Sequence, residues 1–142
     1  MAIYEVDEFS FEVPDGYVDR SMNLFFPREA MTRVRTQNLV ITREPRTEET
    51  VVQQAAKLLK VFSTKVPGLK IIAQRDRPLG ALPGREARAH ATQQGHPVYQ
   101  RYYFVGHYGT FISVIATSAR AQSTQCDAVV ERLLTSLRLK KR

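Results

Sequence analysis

An α+β fold, an antiparallel β-sheet carrying two main helices, is predicted by three features of this sequence. Short runs of period-two alternation recur along the chain, each ended by proline or glycine. Two longer stretches, opening near Thr47 and Ser123, repeat apolar residues at helical spacing. The chain's 142 residues, 43% apolar and 25% charged, suffice for one hydrophobic core without staples.

The elements follow in order. Phe9, Phe11 and Val13 alternate with polar neighbours until Pro14-Asp15-Gly16 turns the chain. Ser21 to Phe26 alternates again, with Met22, Leu24 and Phe26 on one side, and Pro27 ends it. Asn38–Arg43 is a β-rich run that stops before Pro45. Thr47 is the expected N-cap of the first helix, with Glu48 and Glu49 in its first turn and Val51, Ala55, Leu58, Leu59 and Phe62 on its apolar face. Val66-Pro67-Gly68 breaks that helix, and Leu69–Ala73 reads as strand. Beyond the Pro78–Gly84 loop comes a meander: a strand through Ala87, Ala89 and Ala91, then Val98–Val105, then Thr110–Thr117. Its turns are Gln94-Gly95 and Gly106–Gly109. The last helix opens at Ser123 or Thr124 with the stripe Cys126, Val129, Val130, Leu133, Leu134 and Leu137.

The strands carry more apolar surface than one covered face needs. Val98, Gln100, Tyr102 and Phe104 lie on one side of their strand, and Tyr99, Arg101, Tyr103 and Val105 on the other, so both sides hold aromatics. Either one helix packs on each face, aided by the Pro78–Gly84 loop, or part of the sheet is a protein interface.

Charge and composition exclude several classes. The net charge is +7, but residues 1–71 are balanced and residues 72–142 supply the whole excess. Arg138, Lys140, Lys141 and Arg142 form a basic C-terminal tail, whereas the first nineteen residues hold six acids and no base. Basic charge spread over a tail and alternating strands disfavours nucleic-acid binding. Neither a secretory leader nor an apolar run of membrane-spanning length is apparent, so a cytoplasmic protein without direct membrane insertion is expected. One cysteine, Cys126, rules out an internal disulfide and reads as a core residue on its helix stripe. His90, His96 and His107 read as solvated, Glu48-Glu49 as a first-turn charge pair, and Asp7, Glu8 and Asp15 lack calcium-loop spacing. No nucleophile, metal or phosphate motif stands out. The expectation is a non-enzyme with no cofactor, no metal and no catalytic residue.

The run from Phe9 to Phe25, Phe-x-Phe-Glu-Val-Pro-Asp-Gly-Tyr-x-Asp-Arg-Ser-Met-Asn-Leu-Phe, resembles the opening of the DcrB-like, effector-associated (Eag) chaperones of bacterial type VI secretion. Leu39–Arg43 resembles their next strand, Val66–Lys70 their Leu-Pro-Gly-Phe-Lys step, and Gln100–Val105 their Arg-Gln-x-Phe strand. The resemblance covers nearly the whole chain and implies a PsbP-like α/β/α layered sandwich over 1–137, followed by the basic tail 138–142. It also implies a cytoplasmic homodimer that binds the apolar N-terminal transmembrane helices of a secreted effector, of PAAR or Rhs type, before loading onto the secretion spike. By position, Met22, Leu24, Val40, Leu58, Tyr102 and Phe104 would form the client-binding surface. Relatives can carry glutamine where this chain has Leu58 and Tyr102, which makes the surface less polar here. The alternative is a ligand-binding or structural PsbP-like domain with no membrane-protein client.

Overall fold

The computed structural model describes residues 2–17, 20–26 and 38–140. Asp19, Pro27, Lys141 and Arg142, which figure in the sequence reading, lie outside them. A hairpin opens the chain: β1 (Ala2–Glu5) pairs antiparallel with β2 (Ser10–Val13) as a two-stranded sheet of its own. The sequence reading contains β2 but not β1.

The main sheet has six antiparallel strands in the order β3-β4-β8-β7-β6-β5. They are β3 (Met22–Phe25), β4 (Asn38–Pro45), β5 (Lys70–Asp76), β6 (Gly84–Gln93), β7 (His96–His107) and β8 (Thr110–Ala119). From β5 to β8 the chain meanders through adjacent strands, and α1 (Val51–Lys65) carries it from β4 to the far edge at β5. Gln94 and Gly95 both have positive φ (51° and 79°), the conformation of a two-residue type I′ hairpin. The following turn is tighter than its sequence suggests, because Gly106 stays in β7. A Cβ on Gly106 would crowd the Arg46 guanidinium and a Val51 methyl, so close packing rather than a turn favours glycine here.

The first helix starts three residues later than expected. Thr50, not Thr47, is the N-cap: its hydroxyl accepts from the Gln53 amide, and the Gln53 side chain accepts from the Thr50 amide. Thr47 is held outside the helix because its amide donates to the buried Gln54 side chain, which also donates to the Pro45 carbonyl (3.1 Å). Glu49 instead pairs with Lys57 at 2.9 Å.

One helix covers each face. Val51, Ala55 and Leu59 of α1 pack on Ala87, Ala89, Tyr102, Phe104 and Phe111. Cys126, Val130 and Leu134 of α2 (Ser123–Ser136) pack on Tyr99, Tyr103, Val105, Val114 and Ala116. Leu79 and Leu82, from the loop before β6, close the second cluster. The aromatics on both sides of β7 therefore serve two cores. Residues 138–140, expected as a tail beyond the domain, lie against it: Leu139 packs on the α2 cluster, and the His107 ring donates to the Lys140 carbonyl (2.6 Å).

Candidate binding surface

Strand register sorts the expected surface residues. Directly opposed residues of an antiparallel pair share a face. Leu24 opposes Val40, Val40 opposes Ile115, Ile115 opposes Tyr102 and Tyr102 opposes Ala87, one row running across the sheet. Met22, Thr42, Ser113 and Phe104 form the next row on the same face. This is the face that carries α1, so Met22, Leu24, Val40, Tyr102 and Phe104 share a side with Leu58.

Accessibility divides them. Tyr102 and Phe104 are buried under α1, with Phe62 stacked on Tyr102 at 5.7 Å and Phe104 on Phe111 at the same distance. No partner reaches these two while α1 is seated; they belong to the core, contrary to the expectation that they face a client. Burial pushes the Tyr102 hydroxyl up to about 12, and it donates to Gln100, whose amide donates to Thr117 (3.2 Å). Met22 and Leu24, by contrast, are 60% and 50% exposed, and Val40 and Ile115 are half-buried.

The reason is width. Six strands about 4.8 Å apart are wider than one helix about 10 Å across. The α1 helix sits over β6 and β7 and packs on Phe111 and Ile115 of β8; among the described residues no helix lies over the remaining strip from β8 through β4 to β3. That strip spans two strand spacings, about 10 Å, the width of one further helix. Its floor is Met22, Leu24, Val40 and Ile115, with the half-buried Thr42 among them and Ser113 buried beneath. One wall is the flank of α1 turned toward β4: Gln54 is tied to Pro45 there, and Leu58 and Val61 follow at i+4 and i+7 on the same side. Val61 is exposed, and helical spacing does not single it out, because α1 carries apolar residues on more than its core stripe.

The two sheet edges differ in chemistry. At β5 the ladder shifts register between Ile71 and Ala73, and the strand carries Lys70, Arg75 and Asp76, features that discourage edge pairing. At β3 the sequence Met-Asn-Leu-Phe has no charge, and all four residues are exposed. Among the described residues, no strand pairs with its outer side.

On the opposite face, much of the arginine excess is structural. Arg101, fully buried on β7, donates to Asp127 (2.8 Å), Glu86 (3.0 Å) and Glu131 (3.3 Å). Arg77 grips Glu131 with two bonds of 2.7 and 2.6 Å and also reaches Glu86 (3.1 Å), which takes a further bond from Arg75. The network bolts α2, which carries Asp127 and Glu131, to β6 and β7. The bidentate Arg77 bonds hold the Glu131 carboxyl down at about 2, overcoming its partial burial. Burial works against the charge of Glu86, but bonds from Arg75 and Arg77 and the charge of Arg101 outweigh it and keep its pKa below the ordinary value. Tyr99 is raised by burial and by its bond to Asp127 (2.7 Å). Burial raises the Cys126 thiol, consistent with a core residue rather than a nucleophile.

Also on the α2 side, a mostly apolar groove of about 330 Å³ lies between β3, β4, β8 and α2, lined by Phe25, Phe26, Leu39, Ala116, Cys126 and Val129 among others. Val129, placed on the core stripe by its spacing, is exposed at the groove's rim. Among the described residues, no group of three His, Cys, Asp or Glu side chains is arranged to hold a metal, and no helix is long and apolar enough to cross a membrane.

The DcrB family profile matches residues 8–136. The chain belongs to the DcrB family. Its fold is PsbP-like: cyanobacterial PsbP (CyanoP) from Synechocystis sp. PCC 6803 superposes with a TM-score of 0.62 at 10% identity, over 98% of this chain and 92% of that one. A further similar structure is PA94 of Pseudomonas aeruginosa, described as a protein of unknown function and putative regulator. It has a TM-score of 0.82 at 19% identity and covers 100% of this DcrB-family chain and 99% of its own. At these identities the likeness concerns the fold. No curated protein matches the chain.

Proposed function

We propose that this DcrB-family protein is a cytoplasmic, non-enzymatic chaperone. Its clients are the apolar N-terminal transmembrane helices of a type VI secretion effector, of PAAR or Rhs type, which it shields until the effector is loaded onto the spike. The observation that carries this reading is the mostly apolar strip, about one helix wide, that the described residues leave open over β8, β4 and β3. An apolar helix laid there beside α1 removes Met22, Leu24, Val40, Leu58 and Val61 from water along with its own side chains. Helices with small residues suit such a floor, since they approach closely. Tyr102 and Phe104 act from below, setting the height of α1 and so the wall of the strip.

Purification of the tagged chain from its own bacterium without detergent tests the reading. A stoichiometric protein with apolar helices near its N-terminus is expected to accompany the parent chain and to be lost with Leu24→Asp or Val40→Asp. Leu24 lies on the edge strand β3 and Val40 beside it on β4, and neither belongs to the two buried cores, so circular dichroism should show the variants folded. Undiminished client recovery with folded variants overturns the assignment of the strip.

A further inference from the structure

We propose that the α2 side of the sheet holds an oxyanion site, formed by Lys70 of β5, Arg88 and His90 of β6 and Arg120 beyond β8, whose ligand carries a phosphate group. The α2 helix sits over β7 and β8, and the described residues place no helix over the β6-β5 strip of that face. Register fixes what lies there. Lys70 opposes His90, His90 opposes Tyr99, and Arg88 opposes Arg101, so all three share the face of the Tyr99 and Arg101 side chains that meet α2. Arg120, in the helical turn leading into α2, reaches the same strand by donating to the Ala91 carbonyl (3.2 Å). The site stands on the face opposite the client strip and does not rest on that reading.

Charge names the ligand. Arg75, Arg77 and Arg101 take up Glu86, Asp127 and Glu131. Among the described residues, no carboxylate lies within ion-pair distance of Lys70, Arg88 or Arg120. Three uncompensated cations therefore surround one imidazole. Partial burial, then the charges of Arg120 and Lys70, hold the His90 pKa below its ordinary value. The buried Nε of Arg101, across the ladder from Arg88, has no acceptor among the described residues. Arg88 also lines a hollow of about 230 Å³ with Ala73, Arg75 and Glu86. Glu86, the carboxylate of that lining, is already bonded to three arginines. A carboxylate ligand would offset one of the free cations. A phosphate, with a charge of about −2 and three strong acceptor oxygens, is the compact anion that answers several at once.

Titration of the full chain with pyrophosphate at low salt, followed by calorimetry and by the imidazole signals in NMR, tests the site. Binding is expected to move the His90 midpoint upward, because the anion offsets the neighbouring cations, and to leave those of His96 and His107 in place. Lys70→Gln and Arg88→Gln should each weaken binding about fivefold, and the double variant more than either. Lys60→Gln removes the same charge from α1, on the other face, and should change binding by less than about twofold. Sedimentation with phosphatidylcholine vesicles containing phosphatidic acid separates the sources of the phosphate. Pelleting that Lys70→Gln reduces names a lipid headgroup; pyrophosphate binding without pelleting names a soluble phosphate compound. A folded chain that does not bind pyrophosphate, a stationary His90 signal, or equal weakening by Lys60→Gln would each overturn the proposal. Lys70 is exposed on the edge strand, so its variant serves if Arg88→Gln fails to fold.

Discussion

Replacing Arg101 by methionine tests what joins α2 to the sheet. The guanidinium is buried and bonded to three carboxylates on β6 and α2. Breaking a buried ion pair from one side costs about 3–5 kcal/mol, because the abandoned charge stays out of water. Two features of this network put the cost at the low end. Glu86 keeps Arg75 and Arg77, and the Asp127 and Glu131 side chains are 31% and 45% exposed and can turn to solvent. Methionine fills most of the space of the arginine stem, so little cavity opens. The expected loss is about 3 kcal/mol, which for a domain of this size lowers Tm by roughly 10 °C. Urea unfolding followed by circular dichroism measures it. A variant within about 1 kcal/mol of the parent would show that apolar packing alone seats α2, and the structural account of these arginines would fall.

Two further stability predictions follow from the same packing. Because Glu131 titrates at about 2 in the folded chain and Glu86 below its ordinary value, their contribution is complete above the usual carboxylate range and is lost as pH falls from 4.5 toward 2. Unfolding midpoints should be level between about pH 7 and 5 and then drop. Glu131→Gln should drop less steeply, and a parallel curve would exclude this carboxylate as a source. Thr50→Ala removes one half of the capping box of α1 and should cost about 1 kcal/mol, while Thr47→Ala should cost less. The reverse order in thermal melts would restore Thr47 as the cap.

Much of the fold was legible along the chain because local signals agreed with one another. The alanines at 87, 89 and 91 and the alternating aromatics of β7 mark faces by period two alone. The helix stripes at Val51–Phe62 and Cys126–Leu137 mark two packing surfaces in the same way. The sequence does not separate Thr47 from Thr50 as the N-cap, because the two are equivalent by type. The choice fell to Gln54, whose bonds to Pro45 and Thr47 depend on β4 lying alongside. Spacing puts Met22 with Leu24 and Tyr102 with Phe104 on one side of their own strands, and the family resemblance groups them with Val40; neither shows which of them α1 covers.

The sequence by itself determined the alternation, the breaks and the helical stripes, since each arises from neighbours within a few positions. It also determined the acidic start and the basic remainder. Tertiary structure alone decided that, among the described residues, one helix lies on each face and that α1 is seated over β6 and β7, leaving a strip from β8 through β4 to β3. The same is true of the convergence of Arg77 and Arg101 on Glu86, Asp127 and Glu131. Those outcomes depend on strand order and sheet width, and both are set by contacts between residues far apart in the chain.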